Sequence, residues 1–329
     1  MFNKLDFMSF KCWLTNGWYY VRFYFLAYLT NYFNAIQPNP ENKAGYELVF
    51  HDEFDEPEID WNIWSPCERW GCIRTNTVNE YIIYKQEQVA VRDGNVELTS
   101  ALNQQPPEPP VKSGQLTTWK SFIQQYGFFE TREKLPPNGI NNWSSFWGYP
   151  VDAWPPELDV FEIMGTNSSY ITMTLHYADL QIKKAEIYAT YNEIWEKYGY
   201  RSTNPDDDKK FDETIAWLRD PWTQEKQEYV DILFSYRIIR SRSRRLKFPK
   251  KDFLAQGYHT YSLLWTKDKV VWYIDNLAVY TLDRHIPQRP FYWLVANAVK
   301  EYDVKTEQPP ATLPSTAYCD YFRAYKELD

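Results

Sequence analysis

Cysteine, histidine and glycine are all scarce here, at four, four and 11 of 329 residues. No two cysteines form a C-x-x-C pair, and so few histidines leave little for a zinc centre. Cys67 and Cys72 stand close enough in sequence to bridge across a loop, but cysteine use by itself assigns no compartment. A basic excess is missing too. The net charge of −8 argues against nucleic acid, whose phosphates demand a cationic face. Long apolar runs are absent. Residues 18–28, WYYVRFYFLAY, are too short to cross a bilayer, are interrupted by Arg22, and lack the basic–apolar–small order of a secretory leader.

Aromatic residues are in excess: 19% of the chain, with 15 Trp and 27 Tyr. A core absorbs many such rings. A sugar-binding cleft uses more, because pyranose faces stack on Trp and Tyr. The apolar content of 44% suffices for a sizeable core, and an all-β sandwich of well over 200 residues can fold as one unit.

Along the chain, residues 1–45 read as an appendage, closed by the polar stretch Gln37–Lys43. They are expected to pack on the main domain or to anchor a protein partner. From Tyr46 short β-rich runs alternate with turns, as in YELVFHDEF, EYIIYKQEQVAV and NVELTS, with Asp93-Gly94 as a turn between the last two. QQPPEPP at 104–110 cannot pair in a sheet and must be a surface loop. Regular short strands without long amphipathic helices predict a sandwich, so residues 46–329 are expected to form one all-β domain. The exception is about 181–250. Its pieces KKAEIYATYNEIWEKY and DETIAWLRD are helix-compatible, and it ends in Arg237, Arg240, Arg242, Arg244, Arg245 and Lys247. It reads as a partly helical insertion on one sandwich edge. Its basic cluster is either a solvated face or a contact for an acidic glycan or a protein.

The segment Trp154-Pro-Pro-Glu-Leu-Asp-Val-Phe-Glu162 carries the most chemistry. Alternation along a strand points Glu157 and Asp159 the same way, and strict alternation would send Glu162 to the other face. One extra residue at Val160–Phe161, a β-bulge, would bring Glu162 back. Three acids crowded on an apolar strand are costly unless function requires them. Crowding favours one ionised and one protonated carboxyl, the pair that glycoside cleavage uses. A calcium site or a solvated edge is the competing reading.

These residues carry a resemblance. ELDVFE followed by Ile163-Met164-Gly165 resembles the E-x-D-x-x-E signature of glycoside hydrolase family 16. LVFHDEFDEPEIDWNIW, SGQLTTWKSFIQQYGFFETREKLP, NNWSSFWGYP, YHTYSLLWTKDKVVWYIDN and CDYFRAYK resemble further elements of that family in the same order, over about Glu47 to Lys326. The resemblance implies a β-jelly-roll sandwich of two antiparallel sheets with a concave cleft, and a retaining endo-glycosidase. Glu157 would be nucleophile, Glu162 general acid/base and Asp159 the supporting acid. The bulged signature belongs to the laminarinase, agarase, carrageenase and porphyranase branch, so the implied substrate is a β-1,3- or mixed-linkage glucan or a marine galactan. Trp143, Trp147 and His176 match positions bordering that cleft. Catalysis would need no cofactor. A structural calcium would fall to Glu53, the Gly94 carbonyl and Asp320. The long stretch between His176 and His259, and AVKEYD after Asn297, depart from the family. Both touch the rim and weaken inference about the substrate rather than the chemistry. The expected location is extracellular or at a cell surface. A glycan-binding or structural component of a larger assembly, such as a virion, is the rival expectation.

Overall fold

The computed structural model describes residues 39, 41–69, 71–76, 79–137, 142–151, 154–164, 170–178, 239–248, 252–299 and 312–328. Most of the 1–45 appendage, and residues 179–238 of the expected insertion, lie outside the described residues. The strands in chain order are β1 (Tyr46–Asp52), β2 (Ile73–Asn76), β3 (Asn79–Tyr84), β4 (Val89–Arg92), β5 (Asn95–Leu102) and β6 (Val111–Thr117). Then follow β7 (Gly127–Lys134), β8 (Asn142–Tyr149), β9 (Glu157–Met164), β10 (Tyr170–Ala178) and β11 (Ile239–Lys247). The last are β12 (His259–Trp265), β13 (Val270–Ile274), β14 (Leu277–Leu282), β15 (Tyr292–Val299) and β16 (Ser315–Glu327).

The strands form an all-β jelly-roll sandwich. One path runs β11-β10-β9-β8-β15-β6-β5-β16-β7-β12-β13-β14, with antiparallel neighbours throughout, and β1 adds to β16. The path doubles back where β6 meets β5. There Gly114 lets the backbones touch: a Cβ on it would lie 2.9 Å from the Thr99 nitrogen of β5. The first six strands thus face the rest across one core. Aromatic pairs stitch the layers together, with ring centroids 4.0 Å apart for Phe129–Trp293, 4.2 Å for Phe161–Tyr261 and 5.8 Å for Phe146–Phe322. Trp64, Trp265, Trp272 and Trp293 are all buried here, so part of the aromatic excess is packing. Asp93 and Gly94 both have positive φ, 51° and 69°, and close the two-residue hairpin from β4 to β5, as expected of that dipeptide. The proline-rich stretch 104–110 lies between β5 and β6 outside any strand.

The expected helical insertion over 181–250 needs correction at its end. Residues 239–247 are a strand, paired with β10 from Tyr170↔Lys247 to Ala178↔Ile239, and they form the edge of the first layer. At the other end, Asn39 and Lys43 lie on the outer surface of the second layer. The Asn39 carbonyl accepts from Arg323 at 2.6 Å, and Lys43 Nζ lies 3.7 Å from a Glu130 carboxylate oxygen.

Cys67 and Cys72 form a disulfide. Its loop is tied to the open face of the first layer: Trp119 Nε1 donates to the Cys67 carbonyl at 2.9 Å, Tyr149 Oη donates to Glu68 at 2.5 Å, and Arg69 donates to the Val151 carbonyl. Replacing both cysteines with serine is expected to cost about 2 kcal/mol, the loop-closure entropy of so short a loop. The check is a thermal melt, with a fall of several degrees expected and an unchanged midpoint contradicting it.

Candidate active site

The bulge sits where the acids need it. On one side Phe146 pairs with Phe161 and Trp147 with Asp159. On the other Thr172 pairs with Glu162 and Thr174 with Asp159, so β9 carries one extra residue at Val160. Leu158, Val160, Phe161 and Ile163 all join the core. Glu157, Asp159 and Glu162 are left together on the open face. Their partners on β10 are His176, Thr174 and Thr172, one face of that strand, while Ile171, Met173, Leu175 and Tyr177 point into the core.

Each carboxylate has a ring nitrogen beside it. Trp154 Nε1 donates to Glu157 Oε2 at 2.7 Å, and Trp143 Nε1 donates to Glu162 Oε1 at 3.1 Å. His176 Nε2 lies 3.3 Å from Asp159 Oδ2 and 3.8 Å from Glu157 Oε1. A ring nitrogen facing two carboxylates carries its hydrogen there, so in the neutral ring Nδ1 accepts from Ser241 Oγ, 2.7 Å away on β11. The Asp159 side chain is 2% exposed, against 15% for Glu157. The carbonyl of Asp159 accepts from Trp272 Nε1 of the opposite layer at 2.8 Å, which pins the bulge from beneath.

Trp147 does not border the open face as an exposed platform. It is 6% exposed, stacks on Tyr149 with centroids 4.9 Å apart, and packs with Tyr292 and Leu294 under the partly buried Trp119, Val151 and Trp154. It is the floor, and Trp119 and Trp154 are the rings a ligand would meet. Burial, and after it the Glu68 carboxylate, push the Tyr149 phenol well above its ordinary range, so it remains a donor. Trp154 and Ser241 were not among the expected site residues. Trp154 stands three positions before Glu157 and could have been read from that spacing. Ser241 offered only the alternation Arg-Ser-Arg-Ser-Arg, a period of two that marks a strand.

The acids expected to hold calcium have arginine partners. Glu53 is clamped by Arg323 through both oxygens, at 2.8 and 2.5 Å, and Asp320 pairs with Arg132 at 2.5 Å. Among the described residues, the group of three or more candidate ligands is Glu157, Asp159 and His176, with ligand atoms within 4.8 Å of one another. Among the described residues no helix is long and apolar enough to cross a membrane.

Losing one indole donor should be measurable. Trp154→Phe is expected to lower kcat/KM on the true substrate roughly ten- to a hundredfold, the worth of a hydrogen bond to a charged group, with a melting temperature near wild type. An unchanged kcat/KM would remove Trp154 from the machinery.

Known proteins share this arrangement of strands. The sequence model of glycosyl hydrolases family 16 matches residues 239–312. An endo-1,3-1,4-beta-glycanase, ExsH of Rhizobium meliloti, is 26% identical over 300 residues, which cover 84% of this chain and 51% of the relative. Glucan endo-1,3-beta-glucosidase A1 of Niallia circulans is 22% identical over 320 residues, covering 86% of this chain and 38% of that protein. The chain therefore spans about half the length, or less, of these two relatives. The crystal structure of a laminarinase catalytic domain from Thermotoga maritima superposes with a TM-score of 0.57 at 21% identity, covering 86% of this chain and 99% of that one.

Proposed function

This chain is a member of glycoside hydrolase family 16, and from that premise we propose that it is a retaining endo-β-glucanase that cuts internal β-1,3 or mixed β-1,3/1,4 bonds. The observation that carries the reading is the bulge of β9, which leaves Glu157, Asp159 and Glu162 on one open face. The two curated relatives named above, described as acting on such linkages, support the choice of substrate.

In the proposed reaction the substrate lies across β8, β9 and β10, with one ring against Trp154 or Trp119. Glu162 gives its proton to the glycosidic oxygen as the bond to the anomeric carbon breaks. The ionised Glu157 attacks that carbon from the opposite face, forming a glycosyl ester. Glu162, now ionised, takes a proton from water. The hydroxide attacks the anomeric carbon and Glu157 departs, so the product keeps its original configuration. Trp154 Nε1–H holds the nucleophile's second oxygen still. Asp159, flanked by His176, stands between the two on the same face and is the supporting acid.

The test is incubation with laminarin and lichenan, with fragments read by mass spectrometry and the first anomer formed read by proton NMR. Internal fragments that appear first as the β anomer are expected. An α anomer formed first would refute retention, and binding without new reducing ends would favour a non-catalytic glycan-binding protein.

A further inference from the structure

We infer that the substrate bears an anionic substituent, a carboxylate or a sulfate, and that Arg245 on β11 receives it. The inference rests on the glycanase reading above and names the class of glycan. Among the described residues β11 is the outermost strand of the layer that carries the acids, two strands from β9. Its pairing with β10 is regular, so alternate residues divide between two faces. Ser241 and Ser243 lie on the open face, because they hydrogen-bond His176 and Thr174. Arg245 and Lys247 share that face, opposite Thr172 and Tyr170. Arg242 and Arg244 turn the other way, where their charges bear on Tyr280 of β14.

The rows across the sheet then read Glu157–His176–Ser241, Asp159–Thr174–Ser243 and Glu162–Thr172–Arg245. Arg245 therefore stands in the row of the acid/base residue, two strand spacings or about 10 Å from it at the backbone. Its guanidinium lies 4.0 Å over the Tyr170 ring, with Lys247 Nζ 5.7 Å from the same ring. Among the described residues no carboxylate pairs with Arg245. The side chain is exposed, and a guanidinium that stacks on a ring by its face still has its N–H donors in its plane to offer a ligand. A planar fork of that kind matches a carboxylate or sulfate with two parallel hydrogen bonds. A neutral glucan needs no cation in its groove. An anionic one does, because three acids already line it. Basic residues also protect sheet edges from pairing with other chains, and Arg240 and Arg242 suffice for that. The pair beside Tyr170 is additional.

The experiment compares kcat/KM of the full chain on a β-1,3-glucan with its carboxymethylated and sulfated derivatives. It uses wild type, Arg245→Ala, and Arg242→Ala as a control of equal charge loss on the opposite face. Wild type is expected to prefer one anionic form roughly tenfold or more, a preference that fades at high salt. The form preferred identifies the substituent. Arg245→Ala should bring the ratio to near one, and Arg242→Ala should keep it. A wild-type ratio near one on both derivatives, or equal loss in the two variants, overturns the inference. Affinity electrophoresis in gels holding the same three polymers keeps the two readings separable. If nothing is cleaved, the glycanase reading fails, while Arg245-dependent retardation by an anionic gel still supports this site. If no anionic gel retards the protein more than the neutral gel, the site fails whatever is cleaved.

Discussion

The Glu157→Gln protein is expected to melt where wild type melts and to cleave its glucan at least about 10⁴-fold more slowly, because in the proposed mechanism Glu157 forms the glycosyl ester. That is a loss of roughly 5 kcal/mol of transition-state stabilisation. Glutamine keeps the hydrogen bond from Trp154, so packing on β9 should be undisturbed. Glu162→Gln should cost less, about 10²–10⁴-fold on a polysaccharide, the usual worth of a general acid. Its loss should shrink on an aryl glycoside whose leaving group departs without a proton, whereas that of Glu157→Gln should not. The pair of substrates thus separates nucleophile from acid. Wild-type rates in both variants, on a glucan that wild type cleaves, would sink the assignment.

A second large effect belongs to stability. Glu133 on β7 points between the layers with no exposed surface, and neither carboxylate oxygen has a hydrogen-bond partner among the described residues. Burial pushes its carboxyl up from 4.5 to about 8, and the nearby Thr131 hydroxyl offsets only part of that. The folded chain thus holds a proton that the unfolded chain releases near pH 4.5. The stabilisation is full below that pH, erodes as pH rises, and is gone once the folded-state carboxyl ionises near 8. The whole swing is about 4–5 kcal/mol. Glu133→Gln keeps the shape and removes the titration. Its melting temperature should match wild type near pH 4 and exceed it by a widening margin up to about pH 9. Parallel curves for the two proteins across that range would show that Glu133 is not protonated in the fold.

Much of this was legible in local patterns. Three acids at 157, 159 and 162 demanded an extra residue between the last two, and the register slips at Val160. Asp93-Gly94 and the proline run 104–110 behaved as their backbone preferences require. Where the expectation failed, the deciding contact was remote. The basic run before Lys247 looked like the tail of a helical insertion, because its period of two alternates Arg with Ser and places no apolar residue on the core face before Leu246. Trp147 was expected at the border of the cleft, but it is covered by Tyr149 of its own strand together with Tyr292 of β15 and Trp119 of a loop. The arginine partners of Glu53 and Asp320, Arg323 and Arg132, likewise come from long sequence separations. Ser241 sits 65 residues from the histidine it partners, too distant for any local signal.

The indole of Trp272 grips the peptide oxygen of Asp159 from the far side of the core. The acids are thereby fastened to both halves of the molecule. Sliding of one half over the other would misalign them before any strand melted, so heat should extinguish turnover no later than it extinguishes the near-ultraviolet signal of the packed tryptophans. An enzyme built this way has little room for a warm, folded and idle form.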